Sequence, residues 1–200
     1  MIKVTATVSV VIIVFCLIIG SYVVMNAPKV HCGGTTIAGG KMAVGGPFEL
    51  VRHTGELVTD IDVITGPSLI YFGFTYCPDV CPLDNARNAE AIDLLDQMGH
   101  DVKPIFITID PARDTPEVLA DYVEVMHPKM VGLTGTEEQV KVASKAFKTY
   151  YRKNGEGEDY LMDHSTFSYL MNTNGLVEFF RRDISAEDMA KTISCYIEEA

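Results

Sequence analysis

Basic side chains are few in this sequence. Lysine and arginine number 16 against 27 aspartates and glutamates, so the formal net charge is -11 over 200 residues. Because cationic side chains supply most of the affinity for phosphate backbones, this balance argues against nucleic acid as a partner. A hydrophobic fraction of 48% with 22% charged residues excludes a disordered or fibrous chain and is typical of one compact domain with a short extension.

Cysteine is scarce as well. Five cysteines are too few for a small protein held together by disulfides, and their odd number leaves at least one thiol unpaired. Cysteine chemistry is therefore expected at one local site and not as a framework for the whole chain.

Charged side chains are absent from residues 8–25. An apolar stretch of that length is enough to cross a bilayer, and no A-x-A-like cleavage site follows it. We therefore predict a membrane anchor helix over residues 1–25, in preference to a signal peptide or a buried core helix. Long domains are translocated largely regardless of charge, so the rest of the chain is expected outside the cytoplasm, where disulfides and labile thiols are both possible.

Large apolar side chains are few in residues 26–46, which contain closely spaced glycines and predict a flexible tether. Residues 47–200 then predict a folded α/β domain with a mixed central sheet flanked by helices. An extra N-terminal hairpin comes first, alternating strands and helices follow, and a second hairpin and a helix close the domain. Right-handed crossovers make the alternating strands parallel, whereas the closing hairpin is antiparallel. The predicted strands cover residues 48–51, 56–58, 68–75, 105–109, 130–133, 160–162, 166–171 and 176–181.

Two cysteines follow the first buried strand. Cys77 and Cys81 are each followed by proline, at a strand end where reactive groups collect in α/β sheets. A helix start at this point would lower the pKa of a thiol. Four-residue spacing on a helical turn places the two Cα atoms about 6 Å apart, which a disulfide accepts. The pair is predicted to form a redox disulfide or to direct both sulfurs toward one ion.

No second cysteine pair is available to complete a four-ligand zinc site. Two sulfurs with one imidazole suit Cu(I), and a related arrangement holds Cu(II). His53, His100 and His127 are interpreted as solvated. His164 precedes a strand expected beside the first buried strand, between an acid and hydroxyls able to fix its tautomer, and is the candidate third ligand, although position alone leaves that choice open.

Four segments carry a resemblance to a known family. They are FGFTYCPDVCP at residues 72–82, IDPARDT at 109–115, GLTG at 132–135 and DHS at 163–165. In this order they resemble the Sco family, the thioredoxin-like copper chaperones of cytochrome c oxidase assembly. The resemblance runs from about residue 46 to the C-terminus.

The resemblance implies a thioredoxin-like fold and a site made by particular residues. Cys77, Cys81 and His164 would bind copper, with Asp79 and Asp110 near the site. From its position alone, Asp110 could bond the His164 imidazole or tune the thiolates. The aspartates and Arg113 in the segment at 109–115 also have a purely structural interpretation.

The same resemblance implies a role, and the predicted anchor adds a location. The protein would be a metallochaperone and not an enzyme, and would help assemble the binuclear copper centre of cytochrome c oxidase subunit II with copper from a donor protein. A single-pass anchor in a bacterial inner membrane would place the globular domain in the periplasm.

The main alternative is a thiol-disulfide oxidoreductase that reduces the cysteines of that copper site. Ordinary thioredoxin-fold enzymes have C-x-x-C and a cis-proline before the strand that faces the active site. The last proline of this chain is Pro128, and His164 stands about where that proline would be, which favours metal binding. A redox or copper sensor would use the same residues and is a further alternative.

Overall fold

The computed structural model describes residues 15–17, 32 and 44–199. The chain divides into two compact units, Met1–Cys32 and Gly33–Ala200. Residues 15–17 are helical, and within the described ranges no helix has the length and apolar character required to cross a bilayer. The predicted anchor over residues 1–25 and the tether over 26–46 lie mostly outside the described residues, and both stay predictions.

Strands and helices alternate through the second unit. In chain order, the described residues 44–199 form β1 (Glu49–Arg52), β2 (Leu57–Thr59), α1 (Asp60–Val63), β3 (Ser68–Gly73), α2 (Val80–Gln97), β4 (Lys103–Thr108), α3 (Pro116–Met126), β5 (Val131–Thr134), α4 (Glu137–Ala146), β6 (Tyr151–Asn154), β7 (Leu161–His164), β8 (Ser168–Asn172), β9 (Gly175–Phe180) and α5 (Ala186–Glu198).

A mixed seven-stranded sheet organises this unit, in the order β2-β1-β5-β4-β3-β8-β9. Strands β3, β4 and β5 are parallel to one another, and the remaining neighbours pair antiparallel. All six residues of β3 are buried, because the strand lies between β4 and β8 and its side chains contribute to both hydrophobic clusters of the domain. The predicted mixed sheet, the N-terminal hairpin β1–β2 and the closing hairpin β8–β9 are confirmed.

Helix boundaries follow the capping residues of the sequence. The side chain of Thr115 accepts the N–H of Val118 at the start of α3, and Ser185 accepts the N–H of Asp188 at the start of α5. Thr136 opens α4 with a capping box. After α2, Gly99 has a φ of 86°, the left-handed conformation that ends helices.

One strand was missed in the sequence. Strand β6 pairs with β7 in a separate two-stranded sheet, in which Tyr151 lies opposite His164. Three of its four residues are exposed and polar, so it lacks the alternating apolar pattern by which a strand is recognised. The omission matters because this β6–β7 hairpin carries the candidate histidine.

Candidate metal centre

Three segments distant in the chain meet at one end of the sheet. Cys77 lies in the cysteine loop, residues 74–79, between β3 and α2, while Cys81 lies in the first turn of α2 and His164 ends β7. Their two Sγ atoms and an imidazole nitrogen all lie within 4.8 Å of one another. The Sγ of Cys81 is 3.3 Å from Nε2 of His164. The predicted convergence of these three side chains is therefore present, while their roles as ligands stay predictions.

The His164 ring is fixed in orientation and in tautomer. Its Nδ1 lies 2.8 Å from the carbonyl oxygen of Ser165. Since a carbonyl oxygen only accepts hydrogen bonds, Nδ1 carries the proton of the neutral ring and Nε2 presents its lone pair on the side of the sulfurs. The rings of Tyr71 and Phe74 meet the imidazole edge-on at centroid distances of 6.2 and 6.0 Å. The histidine is thus oriented for metal binding before any ion arrives.

Cys77 has the environment of a thiolate. Its half-buried sulfur accepts the backbone N–H of Cys81 at 3.3 Å, at the N-terminal end of α2. A hydrogen bond from the Cys81 thiol, the neighbouring His164 imidazole and the backbone N–H groups of Asp79 and Cys81 together lower the pKa of Cys77 to about 3, against the opposing effect of burial. The thiolate, the form that binds metals and attacks disulfides, therefore predominates at neutral pH.

Cys81 has the opposite environment. The residue is fully buried and belongs to the main hydrophobic core. Its hydrogen bond to the Cys77 thiolate and its burial raise the pKa of Cys81 well above the ordinary thiol value. The site therefore holds one negative charge shared between two sulfurs, and binding of a cation would release the second proton.

The two aspartates expected near the site have different roles. The side chain of Asp79 is exposed and makes no capping bond to α2, so Asp79 contributes its backbone N–H and not its carboxylate. Asp110 is 4% exposed, and its carboxylate is bonded by Arg113 and by the Tyr160 hydroxyl. Of the possibilities that the sequence left open for Asp110, the bond to His164 is not formed, because Nδ1 of the histidine bonds the Ser165 carbonyl instead.

Asp114 has the structural role that the sequence allowed for it. Its fully buried carboxylate accepts both the N–H and the hydroxyl of Thr75, in the cysteine loop, and the hydroxyl of Thr108 at the end of β4. Burial raises the pKa of the Asp114 carboxyl despite these bonds. Asp114 thereby attaches the cysteine loop to the neighbouring strand.

The other histidines lie outside the site, but not all are solvated. His127 is 6% exposed, with Nε2 3.4 Å from Asp93 and Nδ1 accepting the N–H of Lys129, so its interpretation as solvated is wrong. Its place directly after α3 buries the ring. Nδ1 of His53 accepts the N–H of Gly132, and Nε2 of His100 lies 2.9 Å from the Ser194 hydroxyl.

Cysteine bonding is not confined to the one local site expected from the sequence. Cys195, which stands alone on the last helix in the sequence, is disulfide-bonded in the structure. Among the described residues, the free thiols are those of Cys16, Cys77 and Cys81.

The donor set of the site can be tested against the requirements of an ion. With zinc–ligand lengths as a guide, three ligands around one ion lie about 4 Å from one another, a spacing that the 4.8 Å group accommodates. Within the described part of the chain the group has three members, one fewer than a structural zinc site requires. Two sulfurs with one imidazole suit copper.

Comparison with known proteins identifies the family of this fold. The sequence profile of the SCO1/SenC family matches residues 37–198. The chain belongs to the SCO1/SenC family. Its fold is accordingly the thioredoxin-like mixed α/β fold of that family, as the sequence resemblance implied.

Two relatives show how far the similarity extends. Protein SenC of Rhodobacter capsulatus is 52% identical over 157 residues, covering 78% of this chain and 71% of SenC. The human mitochondrial SCO1 homolog is 42% identical over 163 residues, covering 79% of this chain but only 54% of the human protein.

Solved structures of SCO1/SenC relatives include copper-bound forms. Arabidopsis thaliana ScoI with copper bound superposes with a TM-score of 0.77 at 38% identity, over 79% of this chain and all of that one. Yeast Sco1 with copper bound gives 0.75 at 36% identity, over 80% of this chain and 91% of the yeast chain.

Proposed function

We propose that this SCO1/SenC protein is a metallochaperone that binds one copper ion through Cys77, Cys81 and His164. Copper would then pass to the binuclear copper centre of cytochrome c oxidase subunit II. The convergence of two sulfurs and one pre-oriented imidazole within 4.8 Å carries this proposal. Copper-bound relatives of 38% and 36% identity support copper as the cargo.

The exposure of the site suits a carrier. Cys77 is only half-buried, and Tyr76 beside it is 58% exposed, so the sulfur of an incoming protein can approach the ion at this edge. A copper ion held by three ligands has room for a fourth. A sulfur of the protein that receives the copper can therefore bind first, and Cys77, Cys81 and His164 can then be replaced one at a time. We place this exchange outside the cytoplasm, with the predicted helix over residues 1–25 anchoring the domain to the membrane.

Titration with Cu(I) tests the assignment. The purified, reduced full chain should bind one copper, measured by competition with a chromophoric Cu(I) chelator. Cys77→Ser should abolish tight binding. His164→Ala should weaken it by at least the roughly 10–100-fold that loss of an outer partner of a metal ligand costs.

His100→Ala is the matched control, because this histidine bonds Ser194 away from the site and should leave copper binding unchanged. Wild-type affinity in both Cys77→Ser and His164→Ala would contradict the assignment.

The unequal thiols support a second candidate function, reduction of a partner disulfide. The Cys77 thiolate would attack that disulfide, form a mixed disulfide and expel the first partner sulfur. Cys81 would then give its proton to that sulfur and attack the Cys77 sulfur, which breaks the mixed disulfide and releases the second partner sulfur as a thiolate. Two electrons pass to the partner, and the 77–81 disulfide remains. If this is the main role, His164→Ala should retain disulfide exchange while it loses copper affinity.

A further inference from the structure

Three side chains beside the copper-binding candidates contact one another: Asp110, Arg113 and Tyr160, here named the Arg113 cluster. We infer that this cluster holds the β6–β7 hairpin against the cysteine loop and so positions His164 for copper. The inference rests on the proposed copper-binding function, since the cluster acts through a ligand and contacts no ion itself.

Among the described residues, the main sheet pairs with neither strand of the hairpin, and the hairpin is held by side-chain contacts, among them Tyr151 and Met162 against the main core. Strands β6 and β7 hydrogen-bond to each other in their own two-stranded sheet, separate from the seven-stranded one. An isolated two-stranded hairpin is marginally stable in water. Since His164 is the last residue of β7, its distance from the sulfurs depends on side-chain contacts between the hairpin and the rest of the domain.

Arg113 makes contacts with three segments at once. Its guanidinium carbon lies 3.7 Å from the ring centroid of Tyr160 and 4.7 Å from that of Tyr76 in the cysteine loop. Nη1 donates to the carbonyl of Glu158 at 3.2 Å, and Nε donates to Asp110 at 2.6 Å. The side chain is only 15% exposed, so these cation–π contacts and hydrogen bonds form largely out of water, where they are stronger.

Tyr160 connects Asp110 and Arg113 to β7, the strand that ends at His164. Its hydroxyl donates to Asp110 at 2.6 Å in a buried hydrogen bond, and the residue directly precedes β7. Lys153 of β6 also places its Nζ 3.8 Å from the Tyr160 ring centroid, which joins both strands to the cluster. Strand β7 is short and extended, begins directly after Tyr160 and ends at His164. Fixing Tyr160 therefore limits the movement of His164.

Removal of one hydroxyl tests the inference. Tyr160→Phe keeps the ring against Arg113 but loses the bond to Asp110, and should weaken Cu(I) affinity about three- to tenfold, as expected when part of a hydrogen bond to a charged group is lost. Amide hydrogen exchange in β6 and β7 should accelerate in the copper-free protein. Arg113→Lys, which keeps the charge but loses the planar guanidinium, should also weaken Cu(I) affinity and accelerate exchange in β6 and β7.

A double-mutant cycle separates positioning from general stabilisation. In the His164→Ala background, Tyr160→Phe should cause no further loss of copper affinity, because the residue through which it acts is absent. Tyr196→Phe is the matched control. It removes a tyrosine hydroxyl bonded to Glu178 at 3.0 Å in another part of the domain, and should change neither copper affinity nor hairpin exchange.

The outcomes distinguish this inference from the proposed function. Wild-type copper affinity in Tyr160→Phe, or an equal loss in the His164→Ala background, would overturn the positioning role while the copper site stands. If the wild-type chain binds no copper, the proposed function fails. In that case, hydrogen exchange still tests whether the cluster fixes the hairpin. Faster exchange confined to β6 and β7 in Tyr160→Phe supports this role, and unchanged exchange refutes it.

Discussion

Cys77 and Cys81 are four residues apart and chemically unlike. Cys77 is half-buried at a helix start, whereas Cys81 is fully buried in the core. A hydrogen bond between them lowers the pKa of Cys77 and raises that of Cys81. The accessible sulfur is therefore the charged one, which suits both first contact with a cation and attack on a disulfide.

This difference predicts an unusual pH profile for alkylation of Cys77. Because its pKa is about 3, the thiolate fraction is lost only as the pH falls through that value. The rate of carbamidomethylation at Cys77, followed by mass spectrometry, should be nearly constant between about pH 5 and about pH 8, where an ordinary thiol slows about tenfold per unit of falling pH.

Cys81→Ala provides the comparison for that profile. It removes the largest cause of the lowered pKa while the backbone N–H donors remain. The Cys77 rate should then fall at the acid end of the same range. An identical flat profile in Cys81→Ala would show that the neighbouring thiol does not set the pKa of Cys77.

Helix α2 starts without a side-chain hydrogen bond from its N-cap residue. Asp79 is at the capping position but makes no capping bond, and the sulfur of Cys77 accepts the N–H of Cys81 in the first turn. A functional sulfur thus occupies the place of a capping carboxylate, where the helix dipole stabilises its charge. The start of α2 and the reactivity of Cys77 depend on the same contact.

Capping substitutions should therefore have unequal effects. Asp79→Ala is expected to change the free energy of unfolding by less than about 0.5 kcal/mol, because no capping bond is lost. Ser185→Ala, the matched change at the start of α5, should cost about 1 kcal/mol, because Ser185 accepts the N–H of Asp188. Urea denaturation measures both free energies of unfolding. If Asp79→Ala destabilised the protein as much as Ser185→Ala, the proposed capping by the Cys77 sulfur would be contradicted.

Elements with a local pattern could be predicted from the sequence, and elements without one could not. The buried run of β3 and the capping residues of α3 to α5 lie within short windows. Strand β6 is short, polar and exposed, and it forms through pairing with β7, which no local pattern encodes. Its omission left the immediate support of His164 unrecognised.

The same distinction applies to the site. Cys77, Cys81 and His164 lie in recognisable motifs. The bond from Tyr160 to Asp110, by contrast, joins residues 50 positions apart, and the sequence left open whether Asp110 contacts the histidine, tunes the thiolates or has a structural role. Contacts of that kind depend on packing, which only coordinates describe.

The folded unit contains two hydrophobic clusters with different relations to the site. The larger includes Cys81 and Phe74, so core packing and site geometry are continuous there. The smaller is formed mainly by α2 and α5 and includes Met189 and Ile193, both fully buried. Substitutions in the larger cluster should therefore lower both stability and copper affinity. Substitutions in the smaller cluster should lower stability and leave copper affinity nearly unchanged.

Two core substitutions test this separation. Met189→Ala should cost about 2–5 kcal/mol of unfolding free energy through its cavity, yet leave Cu(I) affinity within about twofold of wild type, as expected for distant sites. Phe74→Leu should lower stability and also weaken copper binding, because the ring packs 6.0 Å from the His164 ring. If Met189→Ala lowered copper affinity as much as Phe74→Leu, the site would depend on the whole core and not on the packing immediately around the histidine.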